Sequence, residues 1–305
     1  MPLFTKKFIE SYKNTLENQY RYFYDDFDEY GNRDAPHVFY FIEGIGGVPG
    51  QIRFAFPSLI KYFGTTIFIK SLNLKEFSCN EFIFNKYTLE NIDKKRNKII
   101  SDLNKLGKRY KRVTIICSSN GFYDFLYAYS GLNKSLLRKS EFVWCAVAPD
   151  HFLDTKWENF FFKFNGFVKD NYRWFAIPNN NLLTFLNSEL KMTHKWKYGD
   201  FKKTFFKDDL EFRFKCFGIK WSYASISCFN YLLMHIVENS KFPIDLKSYI
   251  LVATDDGYWQ GKSQNEIESH LTKYLTNKQV VYKKSSHLWL LMPENITEVL
   301  GLMNR

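Results

Sequence analysis

The sequence predicts an α/β protein with a mostly parallel central sheet, helices on both faces and an aromatic-rich insertion. The chain has 305 residues, which is long enough for one large α/β domain that carries an insertion. Apolar runs of strand length alternate with helical patterns along most of the chain, as is typical of parallel strands buried on both faces. This alternation stops between residues 151 and 220, where aromatic side chains lie among basic ones.

Residues 1–34 precede the first predicted strand and predict a helical extension. The helix would run from Phe4 to about Tyr30, because ring-bearing and aliphatic residues recur on one face every four positions, and Gly31 would end it. The residues on that face are Phe8, Tyr12, Leu16 and Tyr20.

Apolar runs predict the strands of a core at residues 35–150 and 221–305, interrupted by an insertion at residues 151–220. The predicted strands are His37–Ile42, Thr65–Ile69, Val113–Ile116, Phe142–Val147, Tyr249–Ala253 and Gln279–Tyr282. Helical patterns separate them: a stretch through Tyr62, then Lys94–Lys108, Phe122–Tyr129, Ser222–Glu238, Gln264–Leu275 and Glu294–Met303. A helix between consecutive strands favours parallel pairing.

Composition narrows the classes of partner without choosing one. Aromatic residues make up 19% of the chain, which excludes a disordered protein. A net charge of +11 at pH 7 permits an anionic substrate, nucleic acid or a membrane surface. The 151–220 insertion has 13 Lys and Arg against 8 Asp and Glu, and its rings could pack on the sheet, contact substrate or stack on single-stranded nucleic acid. We favour packing and substrate contact over nucleic acid.

The sequence lacks the residue spacings that are typical of disulfide frameworks, metal sites and dinucleotide-binding loops. The five cysteines are widely spaced with no C-x-x-C pair, so we expect neither a disulfide framework nor a zinc site. The glycine turn at residues 44–50 fails the G-x-G-x-x-G spacing, and the histidines lack metal-ligand spacing, so we expect no cofactor and no metal.

The N-terminus has no apolar signal region and polar residues interrupt Trp221–Val237, so we expect a cytoplasmic protein without a membrane span. The oligomeric state stays open.

Ser119 lies directly between a predicted strand and a predicted helix, in the run Cys117-Ser-Ser-Asn-Gly121. A nucleophilic serine needs a sharp strand-to-helix turn, which lifts its Oγ clear of the sheet and requires small flanking residues. Gly121 satisfies that requirement two positions later. Ser118 fits less well, because Ile116 would then occupy a flanking position.

Two further strand ends carry residues that could complete the site. Asp255 and Asp256 follow the strand Tyr249–Ala253, and His287 follows the last strand. The carboxyl ends of parallel strands meet at one edge of the sheet, where open α/β sheets place their ligands. Either aspartate could orient the histidine. The alternative is that both only form a turn with Gly257, because Asp-Gly pairs favour turns. Asp150, after the preceding strand, is the reserve candidate.

These motifs resemble the α/β-hydrolase superfamily from about His37 to the C-terminus. The resemblance rests on the segments Glu43–Gly47, Cys117–Gly121, Thr254–Gly257 and Ser286–His287. It implies that Ser119 is the nucleophile, His287 the general base and Asp256 the acid, with Asp255 as the alternative. It also implies that residues 151–220 form a cap over the site. Glu43 and Cys117 stand where many members of the superfamily have histidine and glycine.

The resemblance implies a serine hydrolase that cleaves a carboxylic ester or thioester through an acyl-serine intermediate. The backbone N–H groups of Ile45 and Asn120 would bind the oxyanion. The substrate would be a small molecule or an acylated compound, and the charge permits an anionic one. Two alternatives remain: an acyltransferase that uses the same triad, and a binding protein that keeps the fold without the chemistry.

Overall fold

A central sheet of seven strands organises the described residues of the chain. The computed structural model describes residues 29–44, 52, 55–72, 89–148, 243–259, 261–285, 287, 290 and 293–304. The strands are β1 (Glu29–Gly31), β2 (His37–Ile42), β3 (Ile67–Ser71), β4 (Arg112–Ser118), β5 (Ser140–Cys145), β6 (Lys247–Ala253) and β7 (Lys278–Lys283). Their order in the sheet is β1-β3-β2-β4-β5-β6-β7. The short edge strand β1 is antiparallel to β3, and every other neighbouring pair is parallel.

Helices cover both faces of the sheet. They are α1 (Phe56–Phe63), α2 (Leu89–Arg109), α3 (Gly121–Tyr129), α4 (Lys134–Leu137), α5 (Gln264–Tyr274) and α6 (Pro293–Met303), with a 3₁₀ turn at Gly257–Trp259. One buried cluster joins α2, α3, α4 and α5 to the sheet, and a second joins α1 and α6 to its other face. The mostly parallel α/β fold predicted from the sequence is therefore confirmed.

Strand β2 explains why the strands read as uninterrupted apolar runs. Its alternate residues contribute to opposite faces of the sheet. Val38 and Tyr40 belong to the cluster with α2 and α3, whereas Phe39 and Phe41 belong to the cluster with α1 and α6. Because both faces are covered by helices, the positions after His37 in β2 are all hydrophobic.

The predicted strands, and the predicted helices that follow β2 within the described residues, occur in the structure with small shifts at their ends. The strand predicted at Thr65–Ile69 lies at Ile67–Ser71, because its parallel register with β2 continues to the pair Phe41 and Ser71. Helix α2 begins at Leu89, earlier than the predicted Lys94. The single-turn helix α4 was not predicted, since four residues are too few for a periodic pattern.

The prediction that the N-terminal helix reaches Tyr30 is wrong at its end. Residues Glu29–Gly31 form β1, and the carboxylate of Glu29 pairs with Lys70 of β3 at 2.8 Å. Gly31 does not cap a helix. Its φ is +91°, and a Cβ there would lie 2.4 Å from the Ile67 carbonyl oxygen, so the close approach of β1 to β3 requires glycine.

Several predictions fall outside the described residues. They are the rest of the helical extension, the 151–220 insertion, the helix Ser222–Glu238, Asp150 and Ile45. Among the helices that the structure describes, none is both long enough and apolar enough to cross a membrane.

Candidate active site

Ser119 follows β4 in a strained turn that leads directly into α3. Its φ is 51°, in the left-handed region that non-glycine residues rarely occupy. Its N–H donates to the Cys145 carbonyl at 2.8 Å, and the Trp144 indole N–H donates to its carbonyl at 2.9 Å. The end of β5 therefore holds both backbone groups of Ser119. This is the sharp strand-to-helix turn expected around a nucleophile.

Two glycines allow the turn after β2 to lie against this elbow. A Cβ on Gly121 would lie 2.5 Å from the Ile42 carbonyl oxygen and 2.7 Å from that of Glu43. A Cβ on Gly44 would lie 2.7 Å from the Ser119 Cβ. Carbonyl oxygens, and a Cβ that is fixed to the backbone, cannot yield at such distances as the end of a flexible side chain could. Glycine is therefore required on both sides of the contact.

His287 connects Ser119 to Asp256. Its Nε2 lies 2.8 Å from the Ser119 Oγ, and its Nδ1 lies 2.5 Å from the Asp256 Oδ2. Both His287 and Asp256 are buried, with 5% and 1% of their surface exposed, whereas Ser119 is half-buried. The structure thus brings together the three residues that the sequence predicted for the site.

The turn after β6 presents Asp256 rather than Asp255 to the histidine. The second carboxylate oxygen of Asp256 accepts the Tyr258 N–H at 2.9 Å, and its carbonyl accepts the Trp259 N–H at 3.1 Å. The Tyr258 ring lies edge-on to the imidazole at 5.0 Å. Asp255 instead donates its backbone N–H to the Ser285 carbonyl at 3.1 Å, which joins the loops after β6 and β7.

Asn120 is the N-cap residue of α3, directly after Ser119. The first N–H groups of a helix have no partner within the helix, so those of Asn120 and Gly121 are free of intrahelical bonds. Such groups can stabilise negative charge near the Ser119 Oγ. The second predicted oxyanion donor, Ile45, lies outside the described residues.

A buried carboxyl group lies beneath the turn after β2. Burial raises the pKa of Glu43 to about 7, the nearby Lys95 ammonium opposes this rise and the Asp124 carboxylate adds to it. Lys95 and Asp124 pair with each other at 2.5 Å between α2 and α3. Among the buried side chains described, the Glu43 Oε2 and the Asn120 Oδ1 have no hydrogen-bond partner.

Sequence reasoning missed the roles of Glu43 and Trp144. Glu43 was noted as the residue that stands in place of histidine, but a single residue before a glycine carries no signal that it is buried beside Lys95. Trp144 lies in a predicted strand, where an aromatic residue indicates the core. Its contact with Ser119 depends on the parallel register of β4 and β5, which spacing alone does not reveal.

The geometry suits transfer of a proton from the Ser119 hydroxyl to the His287 ring. The His287 Nε2 is within hydrogen-bond reach of the Ser119 Oγ and can accept its proton. The Asp256 carboxylate can hold the Nδ1–H and stabilise the imidazolium that results. Residues in such an arrangement can act as a nucleophile, a base and a group that orients the base.

Comparisons with known proteins identify the fold. No protein-family model matches the sequence, and no curated protein matches it. Among solved structures, the chain is similar to a lipolytic enzyme of metagenomic origin (LipS and LipT), with 12% identity, a TM-score of 0.51 and coverage of 91% of this chain and 97% of that one. It is also similar to potato (Solanum tuberosum) epoxide hydrolase I, with 11% identity, a TM-score of 0.50 and coverage of 90% and 93%.

These neighbours are enzymes that catalyse different hydrolyses, so the likeness bears on architecture rather than on the reaction. The shared features are the mostly parallel sheet and the helices on both of its faces. The chain has the α/β-hydrolase fold.

Proposed function

We propose that the protein is a serine hydrolase that cleaves a carboxylic ester or thioester through an acyl-serine intermediate. The observation that carries the proposal is the continuous hydrogen-bonded series from the Ser119 Oγ through His287 to Asp256. The strained backbone of Ser119 supports it, because such conformations persist where the surroundings enforce them and are concentrated at active sites.

In the first half-reaction, the Ser119 Oγ attacks the carbonyl carbon while its proton passes to the His287 Nε2. The carbonyl electron pair moves onto the oxygen, where the Asn120 N–H and the proposed Ile45 N–H stabilise the negative charge. Collapse of this intermediate breaks the bond to the leaving alcohol or thiol, which takes the proton from His287. The acyl group is then bound to Ser119.

In the second half-reaction, water replaces the leaving group. The water oxygen attacks the carbonyl carbon of the acyl-serine while His287 accepts a proton from that water. His287 returns the proton to the Ser119 Oγ as the carboxylic acid leaves. Asp256 stays ionised and stabilises the imidazolium in both half-reactions. Transfer to an alcohol or amine in place of water would give the acyltransferase alternative.

The substrate and setting belong to the same proposal. We propose that residues 151–220 form a cap whose rings and basic residues contact a small or acylated substrate, with an anionic group as one option. A nucleic-acid partner is disfavoured, because the predicted triad would have no use for it. We place the protein in the cytoplasm, since Cys117 and Cys145 are free, buried thiols.

The proposal is tested by reaction with a fluorophosphonate, followed by intact-mass spectrometry and peptide mapping. We expect one adduct on Ser119, none in Ser119→Ala, and about 10⁴-fold slower labelling in Asp256→Asn, because the amide no longer holds the imidazole in the reactive tautomer. The matched control is Asp255→Asn, which should label within about threefold of the wild-type rate.

The outcomes separate the candidate functions. A folded wild-type protein that forms no adduct would contradict the hydrolase and favour a binding protein with this fold. Equal effects of Asp255→Asn and Asp256→Asn would contradict the assignment of the acid. With an active serine established, p-nitrophenyl esters and acyl thioesters tested with and without an added alcohol or amine would distinguish hydrolysis from acyl transfer.

A further inference from the structure

The buried indole of Trp144 contacts the backbone of the proposed nucleophile. Trp144 lies in β5, is fully buried, and donates its Nε1–H to the Ser119 carbonyl at 2.9 Å. The same carbonyl also accepts the Phe122 N–H at 3.3 Å, at the start of α3. The indole is therefore a second donor to this carbonyl, supplied by a neighbouring strand.

The two contacts from β5 act on opposite ends of one residue. The Cys145 carbonyl accepts the Ser119 N–H, and the adjacent Trp144 side chain donates to the Ser119 carbonyl. The orientations of the two peptide groups that flank a residue define its φ and ψ. Because these two groups are held from β5, Ser119 stays at a φ of 51° although the left-handed region is unfavourable for serine.

The indole is itself held in place by packing. It stacks on the Phe122 ring at 3.9 Å with an interplanar angle of 18°, and the Tyr123 ring meets it edge-on at 5.9 Å. Phe122 and Tyr123 both belong to α3, the helix that follows the nucleophile. The ring therefore fixes the position of Ser119 relative to α3 as well as to β5.

We infer that Trp144 is a positioning residue that holds Ser119 in its strained conformation and so keeps the Oγ in contact with His287. This inference rests on the proposed function, because it assigns a role within the same site. Without the indole N–H, the carbonyl of Ser119 loses its donor from β5, and the residue can relax toward negative φ. The Oγ would then move away from the His287 Nε2.

The experiment compares two variants that each remove the hydrogen-bonding group of one buried ring in the same aromatic cluster. Trp144→Phe removes the donor to Ser119. The control, Tyr123→Phe, removes the hydroxyl that donates to the Ala148 carbonyl at 2.8 Å and contacts the His270 Nε2 at 3.2 Å, and it leaves the hydrogen bonds of Ser119 in place. The fluorophosphonate rate constant and the reagent's dissociation constant are measured separately for each variant, together with thermal unfolding.

We expect Trp144→Phe to lower the rate constant about tenfold, as the loss of one oriented hydrogen bond implies, with the dissociation constant unchanged. Tyr123→Phe should label at close to the wild-type rate even though its thermal stability falls. A purely structural role for Trp144 would lower stability in both variants and leave both rate constants near that of the wild type, which would overturn the inference.

A second variant covers the case in which Trp144→Phe does not fold. Replacement of Trp144 by β-(3-benzothienyl)alanine keeps the size and stacking of the ring and removes the N–H alone. We expect the same loss of rate in this variant. An unchanged rate would overturn the inference and leave the proposed function intact.

Crystal structures of these variants test the inference independently of reactivity. We expect Ser119 to leave the left-handed region and its Oγ to move out of hydrogen-bond distance of the His287 Nε2. If the wild-type protein does not react with the fluorophosphonate, the proposed function fails, and the φ of Ser119 in the variants still decides the role of Trp144. A φ that stays near its wild-type value would overturn that role.

Discussion

Two buried histidines lie at opposite ends of the parallel strands. The groups that contact them differ, and so does their ability to accept a proton. His37 begins β2, where its Nε2 contacts the Thr114 hydroxyl at 2.8 Å and its ring packs on Phe39 and Phe63. Burial, together with the positive charge of Arg112, lowers the pKa of His37 to about 3. His37 therefore stays neutral at physiological pH.

His287 is buried to a similar extent but bridges a hydroxyl and a carboxylate. A carboxylate favours the protonated imidazole, whereas a neutral hydroxyl and a nearby guanidinium do not. Burial of a histidine thus says little about its role. The charge of its partner decides whether it can take up a proton during a reaction.

The largest expected effect comes from exchanging each histidine for alanine. His287→Ala should slow hydrolysis of a p-nitrophenyl ester by a factor on the order of 10⁴ or more, because Ser119 loses its base, and should leave the fold intact. His37→Ala should lower the free energy of unfolding by about 2 kcal/mol through lost packing and a lost hydrogen bond, with the rate within about threefold of wild type.

Ester hydrolysis and urea unfolding of both variants check this contrast. Equal losses of activity would contradict it, since they would mean that a histidine at the opposite end of the parallel strands also supports the reaction. An active His287→Ala variant would remove the base from the proposed mechanism.

The parts of the site that lie directly after strands could be predicted from the sequence. Ser119 follows the buried strand β4 and His287 follows the partly exposed strand β7, and parallel strands bring such positions to one edge of the sheet. The spacing alone did not distinguish Asp255 from Asp256, because both are adjacent residues of one turn, and only the family resemblance favoured Asp256. In the structure the carboxylate that contacts His287 is that of Asp256, and it also accepts the Tyr258 N–H.

Long-range pairing accounts for the features that the sequence did not reveal. Strand β1 has three residues, too few for an alternating pattern, and it exists because it pairs with β3. The contact of Trp144 with Ser119 likewise depends on the register of two strands. Local patterns predicted where strands and helices lie, but not which side chains meet across the sheet.

The second largest expected effect is a loss of activity on replacement of Gly44, with Gly261 as the comparison. Gly44→Ala should slow ester hydrolysis on the order of 10²-fold, because the new Cβ would lie 2.7 Å from the Ser119 Cβ and 2.9 Å from the Ser118 carbonyl oxygen. Gly261→Ala meets no atom within 4 Å and has a φ of +81°. Gly261→Ala should lower the free energy of unfolding by about 1 kcal/mol and leave the rate of ester hydrolysis within about threefold of wild type.

Kinetics and thermal unfolding of these two variants separate crowding at the nucleophile from backbone strain elsewhere. If Gly44→Ala kept the wild-type rate, the turn after β2 would not constrain Ser119. A large loss of rate in Gly261→Ala would mean that the loop after the 3₁₀ turn contributes to the site, in conflict with its open surroundings.

The smallest expected effect concerns Glu43, the buried carboxyl group at the same edge as His287. A glutamate in the unfolded chain ionises near pH 4.5, whereas burial raises the pKa of folded Glu43 to about 7. Between these values the folded state holds one more proton than the unfolded state. The contribution of Glu43 to the free energy of unfolding therefore falls as pH rises from about 4.5 to about 7, and then stays level.

Glu43→Gln replaces the titratable carboxyl group by an amide. It should abolish the fall in the free energy of unfolding that Glu43 causes as pH rises. We expect the variant to gain about 2–3 kcal/mol relative to wild type between pH 5 and pH 8, as measured by urea unfolding. Lys95 and Asp124, the charged groups that act on Glu43 from α2 and α3, are themselves unchanged in the variant.

The matched control is Glu266→Gln, at the exposed start of α5. A glutamine can keep the capping interaction with Ser263, and the pKa of Glu266 lies below its ordinary value, outside the measured range. Its difference from wild type should therefore be the same at every pH between 5 and 8. If the Glu43→Gln difference were equally flat, the carboxyl beneath the turn would already be ionised at pH 5, and Lys95 would stabilise it more than burial destabilises it.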